Sequence, residues 1–166
     1  MGSLFLIDFF TRNIYNFCRN FRKAVRCIEV KMLTFSPARF TARRGEAEIG
    51  KRAVASVILN RYKSGKWFAG NTIAETCQFC VKGSKYHQFS CWNEDDPNFD
   101  LINRISESDK AFCECIDVAE KYVAGVYKDI VCGACHYCVD GVHPAWAKGR
   151  NPDLQIGRHL FYCGVE

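Results

Sequence analysis

Thiols and imidazoles at short, regular intervals are the side chains here whose spacing alone suggests chemistry. The 166-residue chain holds eleven cysteines, and Cys77-x2-Cys80 and Cys132-x2-Cys135-x2-Cys138, with His136 inside the second group, set sulfurs at the interval that turns two of them toward one ion. Two observations weigh against a metal centre. Cys113 and Cys115 fall on a predicted helix and point about 200° apart. The two CxxC groups stand about 50 residues apart, unlike a compact zinc ribbon or ferredoxin run. The odd count argues against a full disulfide framework, and free cysteine commonly serves as a small buried apolar residue. No metal and no cofactor is therefore expected. A metal or redox protein built on Cys77, Cys80, Cys132, Cys135 and Cys138 stands as the alternative.

A second constellation is Gln88-Phe89-Ser90-Cys91-Trp92-Asn93, two aromatics among small polar side chains, followed at once by Glu94-Asp95-Asp96-Pro97. The composition from Gln78 to Asn98 is that of a loop, with Tyr86, Phe89 and Trp92 embedded in it. A loop held by a rigid scaffold is a usual place for a binding site.

The elements that must hold this loop read as follows. Glu48 to Tyr62 puts Ile49, Ala53, Val54, Val57 and Ile58 on one stripe, with Lys51, Arg52 and Ala55 elsewhere, which predicts a helix with one buried face, stopped by Gly65. Thr72 to Cys77 reads as a short helical turn. Ser106-x-x-Asp109 resembles a capping box, with Asp where Glu or Gln is preferred, ahead of a stripe of Phe112, Ile116, Ala119 and Val123 that ends at Gly125. Ala134 to Val139, bounded by Gly133 and Gly141, and Gly157 to Tyr162 are candidate strands. Helices outnumber strands, so the fold class is α+β with a small sheet.

The length fits one domain and a tail. The formal charge of +5 is unevenly spread: residues 1–44 carry nine Lys/Arg against Asp8 and Glu29, and residues 45–166 sum to −2. The leader, residues 1–40, is thus basic and partly amphipathic, with Phe10, Ile14, Phe17, Phe21 and Val25 at helical spacing, and is expected to be disordered, packed on the domain or in peripheral contact with a membrane surface. Its apolar run from Leu4 to Phe10 is broken by Asp8, which excludes a transmembrane helix, and its positive charges follow the run rather than precede it, unlike a signal peptide. Nucleic acid is not expected as a partner, since the basic residues lack a recognisable binding fold.

Four segments in order carry a family resemblance: Arg44 to Arg61 (RGEAEIGKRAVASVILNR), Gln88 to Asn98 (QFSCWNEDDPN), Gly133 to Gly149 (GACHYCVDGVHPAWAKG) and Ile156 to Tyr162 (IGRHLFY). Together they resemble the SleB-type, spore-cortex-lytic-like cell wall hydrolases over residues 41–166. The resemblance implies a lysozyme-like catalytic domain, mainly helical with a small antiparallel sheet, that cleaves the glycan strand of peptidoglycan as a lytic transglycosylase or muramidase. It also implies a place at the bacterial cell envelope or in a phage. A monomer is expected.

That chemistry needs a protonated carboxylic acid beside the glycosidic oxygen, whose carboxylate then acts as base; closing an anhydro ring with the sugar's own hydroxyl requires no second carboxylate. The family's pattern A-E-A-R-G-E places an acid where this chain has Ala42, so the resemblance leaves Glu46 as the catalytic candidate, with Glu48 just beyond. It implies stacking on sugar faces by Phe89, Trp92 and Tyr137, and hydrogen bonds to the glycan from Gln88, Ser90, Asn93 and His136. A relative that binds peptidoglycan without cleaving it is the other outcome compatible with Ala42.

Overall fold

A helix that buries polar side chains as well as apolar ones sits at the centre of the domain. The computed structural model describes residues 44–80, 82–97, 99–104, 106 and 108–165. The expectations for the leader and for the neighbourhood of Ala42 lie outside those residues. Helix α1 spans Arg44–Ser64, α2 Ile73–Cys77, α3 Phe99–Arg104 and α4 Lys110–Val123. Strands β1 (His136–Val139), β2 (Leu154–Ile156) and β3 (His159–Tyr162) form one antiparallel sheet in the order β1-β3-β2. Short 3-10 turns lie at Ser90–Trp92 and Ala145–Ala147.

The expected stripe of α1 is there in Ala53, Val54, Val57 and Ile58, all at most 2% exposed. Two corrections apply. Ile49 is exposed at 42%, whereas Ala55, Lys51 and Ser56, off the stripe, are buried. The reason is that α1 is covered on several sides, and its polar groups find partners inside. Lys51 Nζ meets Glu114 Oε2 of α4 at 2.5 Å, Ser56 Oγ bonds Tyr122 Oη at 2.8 Å, and Asn60 Nδ2 donates to Asp129 Oδ1 and to the Ala134 carbonyl, each at 3.2 Å. A helix surrounded in this way does not need a clean amphipathic pattern.

Helix α4 packs Phe112, Cys115, Val118, Ala119 and Tyr122 against α1; the stripe expected through Val123 runs one position off, and Val123 is 40% exposed. The capping interaction is also displaced. Asp109, not Ser106, is the N-cap, and its carboxylate accepts the Ser106 N–H at 2.9 Å. Cys115 is fully buried and Cys113 exposed, as opposite faces of a helix require.

The sheet has two unlike faces because side chains alternate along each strand. Tyr137 and Phe161 look toward α1, joining Ala53, Val57, Val131 and Ala134. Cys138, Leu160 and Tyr162 look the other way, with Trp146, Ala147 and Val165. Strand β2 was not legible in sequence: three residues after a proline are too few to show alternation. It is tied to β3 by a two-residue turn, Gly157 and Arg158, between the paired Ile156 and His159, with Gly157 at a φ of +59° that suits such hairpins.

The loop that follows α2 is anchored by a bridge between Cys80 and His87, by the Gln88 N–H on the Phe79 carbonyl at 3.0 Å, and by the His87 N–H on Asn93 Oδ1 at 2.6 Å. Ahead of it, Gly70 lies against α2. A Cβ there would come within 2.6 Å of the Thr76 backbone nitrogen and 2.7 Å of the Glu75 carbonyl carbon, atoms that cannot swing aside. Gly70→Ala is expected to destabilise the domain by ~1–3 kcal/mol, seen as a lower urea midpoint with an unchanged slope.

Candidate functional site

The cysteine groups separate on folding. Cys77 is fully buried among the helical core, while Cys80 sits at the loop bridge with its thiol on the Ser84 and Tyr86 carbonyls. Cys138 belongs to the outer face of the sheet and Cys135 precedes β1, three residues away on an alternating strand. Among the described residues no three His, Cys, Asp or Glu side chains are grouped so as to hold a metal ion.

What folding does bring together is a row of aromatic rings. Trp67 and Phe68 follow the end of α1; their centroids are 5.4 Å apart at 75°. Phe68 meets His136 of β1 edge-on at 5.3 Å, His136 meets Trp146 at 5.1 Å, and Trp146 meets Tyr162 at 5.2 Å. The row runs from the buried Phe68 and Tyr162 to the half-buried His136 and Trp146, and out to Trp67, which is 58% exposed. Sequence reading found only His136 of this set. The signal for the rest was weak: Lys66-Trp67-Phe68 directly after the helix-stopping Gly65, and Trp146 in Pro144-Ala145-Trp146.

Arg61, in the last turn of α1, joins this row to the Gln88 segment. It is 6% exposed, and its Nε donates to the Cys135 carbonyl at 2.6 Å while Nη1 donates to Gln88 Oε1 at 3.1 Å. Its guanidinium lies over the Phe89 ring at 4.6 Å and near the Phe68 ring at 5.8 Å. Gln88 and His136 are thus drawn to one place through a residue that reads in sequence as a solvated cation at a helix end.

Burial drives the His136 pKa down from 6.5 to about 4, and the positive charges of Arg61, Lys66 and Arg150 push the same way. Its imidazole is neutral at neutral pH, and Nδ1, shielded from solvent, has no hydrogen-bond partner among the described residues. The Trp92 indole nitrogen is in the same condition. Buried polar atoms normally have partners, and Arg52 Nε is a further buried atom with none among the described residues.

Other expected site residues take structural places. Phe89 is 2% exposed, in the core with Arg61 over its ring, which leaves no face for a sugar. Tyr137 turns inward, as the residue after His136 must, and stacks on Phe161 at 5.8 Å and 28°. Asn93 is 9% exposed and spends its amide oxygen on the loop backbone. Ser90 opens the 3-10 turn and remains half-buried near Trp92. Glu46 stands in the first turn of α1. Glu48 is exposed, and its Oε1 accepts from Tyr127 Oη at 3.0 Å, under the Arg52 guanidinium that covers the Tyr127 ring at 4.2 Å.

A small antiparallel sheet against a largely buried helix, with an aromatic row at their junction, makes an α+β domain, mainly helical as expected. A family profile described as Cell Wall Hydrolase matches residues 45–162, and the chain belongs to that family. Among solved structures, it is similar to the catalytic domain of the Bacillus cereus SleB protein, with 20% identity, a TM-score of 0.50, and coverage of 86% of this chain and 89% of that chain. At this identity the likeness concerns the fold. Comparison with curated proteins gives no match. No helix among the described residues is long and apolar enough to cross a membrane.

The His136 environment has a consequence for pH. Between pH 6.5 and about 4 the unfolded chain binds a proton at this site that the folded chain does not. Its contribution to stability is full above the unfolded value and shrinks as pH falls. Urea midpoints measured from pH 7 to pH 4.5 should fall, and in His136→Phe the fall should be shallower.

Proposed function

We propose that this chain cleaves the glycan strand of peptidoglycan, binding the sugars along the accessible rings Trp67, His136 and Trp146, which the fully buried Phe68 backs. The observation that carries the reading is the row of rings at the junction of α1 and β1, which runs from the half-buried His136 and Trp146 out to the exposed Trp67. Sugars offer flat C–H faces to the exposed ring of Trp67. Gln88, held by Arg61, adds an amide at the same end of α1. Arg61, Lys66 and Arg150 place positive charge near His136, which suits a polymer that carries carboxylates on its peptide stems.

Glu46, which the family resemblance singles out, is the proposed general acid and base; it lies about 22 Å along α1 from Arg61, so the aromatic row would hold sugars several units away from the bond that is cut. Glu48 is the weaker candidate, because its carboxylate is engaged by Tyr127 in the seam between α1 and the segment after α4. An acid at Glu46 would protonate the glycosidic oxygen and, as a carboxylate, take the proton from the sugar hydroxyl that closes an anhydro ring, or from water in a muramidase. Ala42 favours a second reading, in which the row binds peptidoglycan and no bond is cut.

Digestion of purified peptidoglycan, with soluble products read by mass spectrometry, separates the two. Release of glycan fragments by the unaltered chain, cut about a hundredfold or more in Glu46→Gln and about tenfold in Trp67→Ala, is the expected result. A silent chain that pellets with peptidoglycan and gains activity in Ala42→Glu would establish the binding reading instead.

A further inference from the structure

We propose that Cys135 and Cys163 form a reversible cross-strand disulfide, a covalent redox site at the end of the β1–β3 ladder beside His136. The inference stands on sheet register and does not depend on the catalytic reading. The paired residues run Val139↔His159, Cys138↔Leu160, Tyr137↔Phe161 and His136↔Tyr162. The paired ladder ends at His136↔Tyr162; continued one step, through the bend at Cys163, its register sets Cys135 opposite Cys163.

The hydrogen-bond parity of the ladder favours this pair. The Asp140 N–H donates to the Arg158 carbonyl at 2.8 Å, which makes those two a hydrogen-bonded pair of the same register. Alternation then makes Tyr137/Phe161 and Cys135/Cys163 non-hydrogen-bonded pairs, whose side chains come closest. The backbones of the two cysteines agree, since each turns its polar group away from the other strand. The Cys135 carbonyl accepts from Arg61, and the Cys163 N–H donates to Asp153 Oδ2 at 2.7 Å. Cα atoms of such a pair lie about 4.5 Å apart, inside the window of roughly 4.4–6.8 Å that a disulfide spans.

The sulfurs share one locality. Cys163 Sγ rests on the Cys132 carbonyl at 3.3 Å, and Cys135 Sγ on the carbonyl of the next residue, Gly133, at 3.6 Å. Thiol bonds to carbonyls are weak, so little holds the two sulfurs apart. Both cysteines are half-buried. Burial raises the Cys135 thiol pKa against the opposing pull of Arg61 and Lys66, and it raises that of Cys163 together with Asp153, Cys132 and Cys135. Few thiolates exist at neutral pH, so exchange is slow there and quickens as pH rises.

The oxidant is a low-molecular-weight disulfide. One cysteine thiolate attacks its S–S bond and expels one small thiol; the second cysteine then attacks the mixed disulfide and expels the other. The protein loses two protons and two electrons, and the oxidant is reduced to two thiols. The bond clamps to β3 the residue whose carbonyl anchors Arg61 and whose neighbour is His136.

The test uses the full chain, reduced and then equilibrated with oxidised glutathione at pH 8, alkylated and cut with trypsin. Cleavage after Lys128, Lys148 and Arg158 puts Cys135 in the peptide 129–148 and Cys163 in 159–166. The expected product is a linked pair of these peptides with the bond on Cys135, released by dithiothreitol, retained in Cys132→Ser and absent in Cys163→Ser. The oxidised chain should also melt higher than the reduced one by roughly 5 °C, a difference lost in Cys163→Ser. Peptide 159–166 recovered free, carrying glutathione only, or linked through Cys132 or Cys138 would overturn the proposal.

Discussion

The buried guanidinium of Arg61 is the constraint on which the rest of the site depends. A permanent positive charge at 6% exposure is costly to desolvate, and it is held because its donors reach the Cys135 carbonyl and the Gln88 amide while the Phe89 and Phe68 rings flank it. Those contacts fix three pieces of chain to the end of α1: the start of β1, the Gln88 segment and the Trp67–Phe68 corner. Because arginine does not give up its proton in proteins, the charge also acts at every working pH, adding to burial in keeping His136 neutral.

A helix that positions a site in this way looks different from one that only covers a core. Helix α1 carries Lys51, Ser56, Asn60 and Arg61 inward, each with a partner from α4 or from the 129–135 segment. Asp129 then organises that segment, accepting from Asn60 and from the Val131 and Gly133 N–H groups at 3.0 and 2.6 Å. The strand that bears His136 is therefore oriented by polar contacts from α1 before it enters the sheet. The inner sheet face completes the packing against Ala53 and Val57.

How much of this was legible in sequence follows from the same physics. The helical stripes of α1 and α4, the turn at Thr72 and the strand around His136 announced themselves through apolar period and glycine stops. The polar face of α1 could not, because Lys51 and Arg61 read as solvent residues until their partners 63 and 74 positions away are known. Phe89 and Tyr137 were expected at the sugars for their ring type, yet alternation and the Arg61 contact turn both into packing. Trp67 and Trp146 were passed over because their neighbours in the aromatic row lie on other elements. Ring identity is visible in sequence, but which rings share a surface is decided by the end of α1 meeting β1.

The central claim is that the row from Trp67 to Trp146 is a glycan-binding surface held in place by Arg61. The chain has three tryptophans, so the indole N–H signals of 15N-labelled protein report on Trp67, Trp92 and Trp146 separately. Titration with soluble, uncross-linked glycan strands from peptidoglycan should move the Trp67 and Trp146 signals saturably, and the shifts should vanish in His136→Ala while the fold persists. Trp67 and Trp146 signals that stay still at saturating glycan would contradict the account.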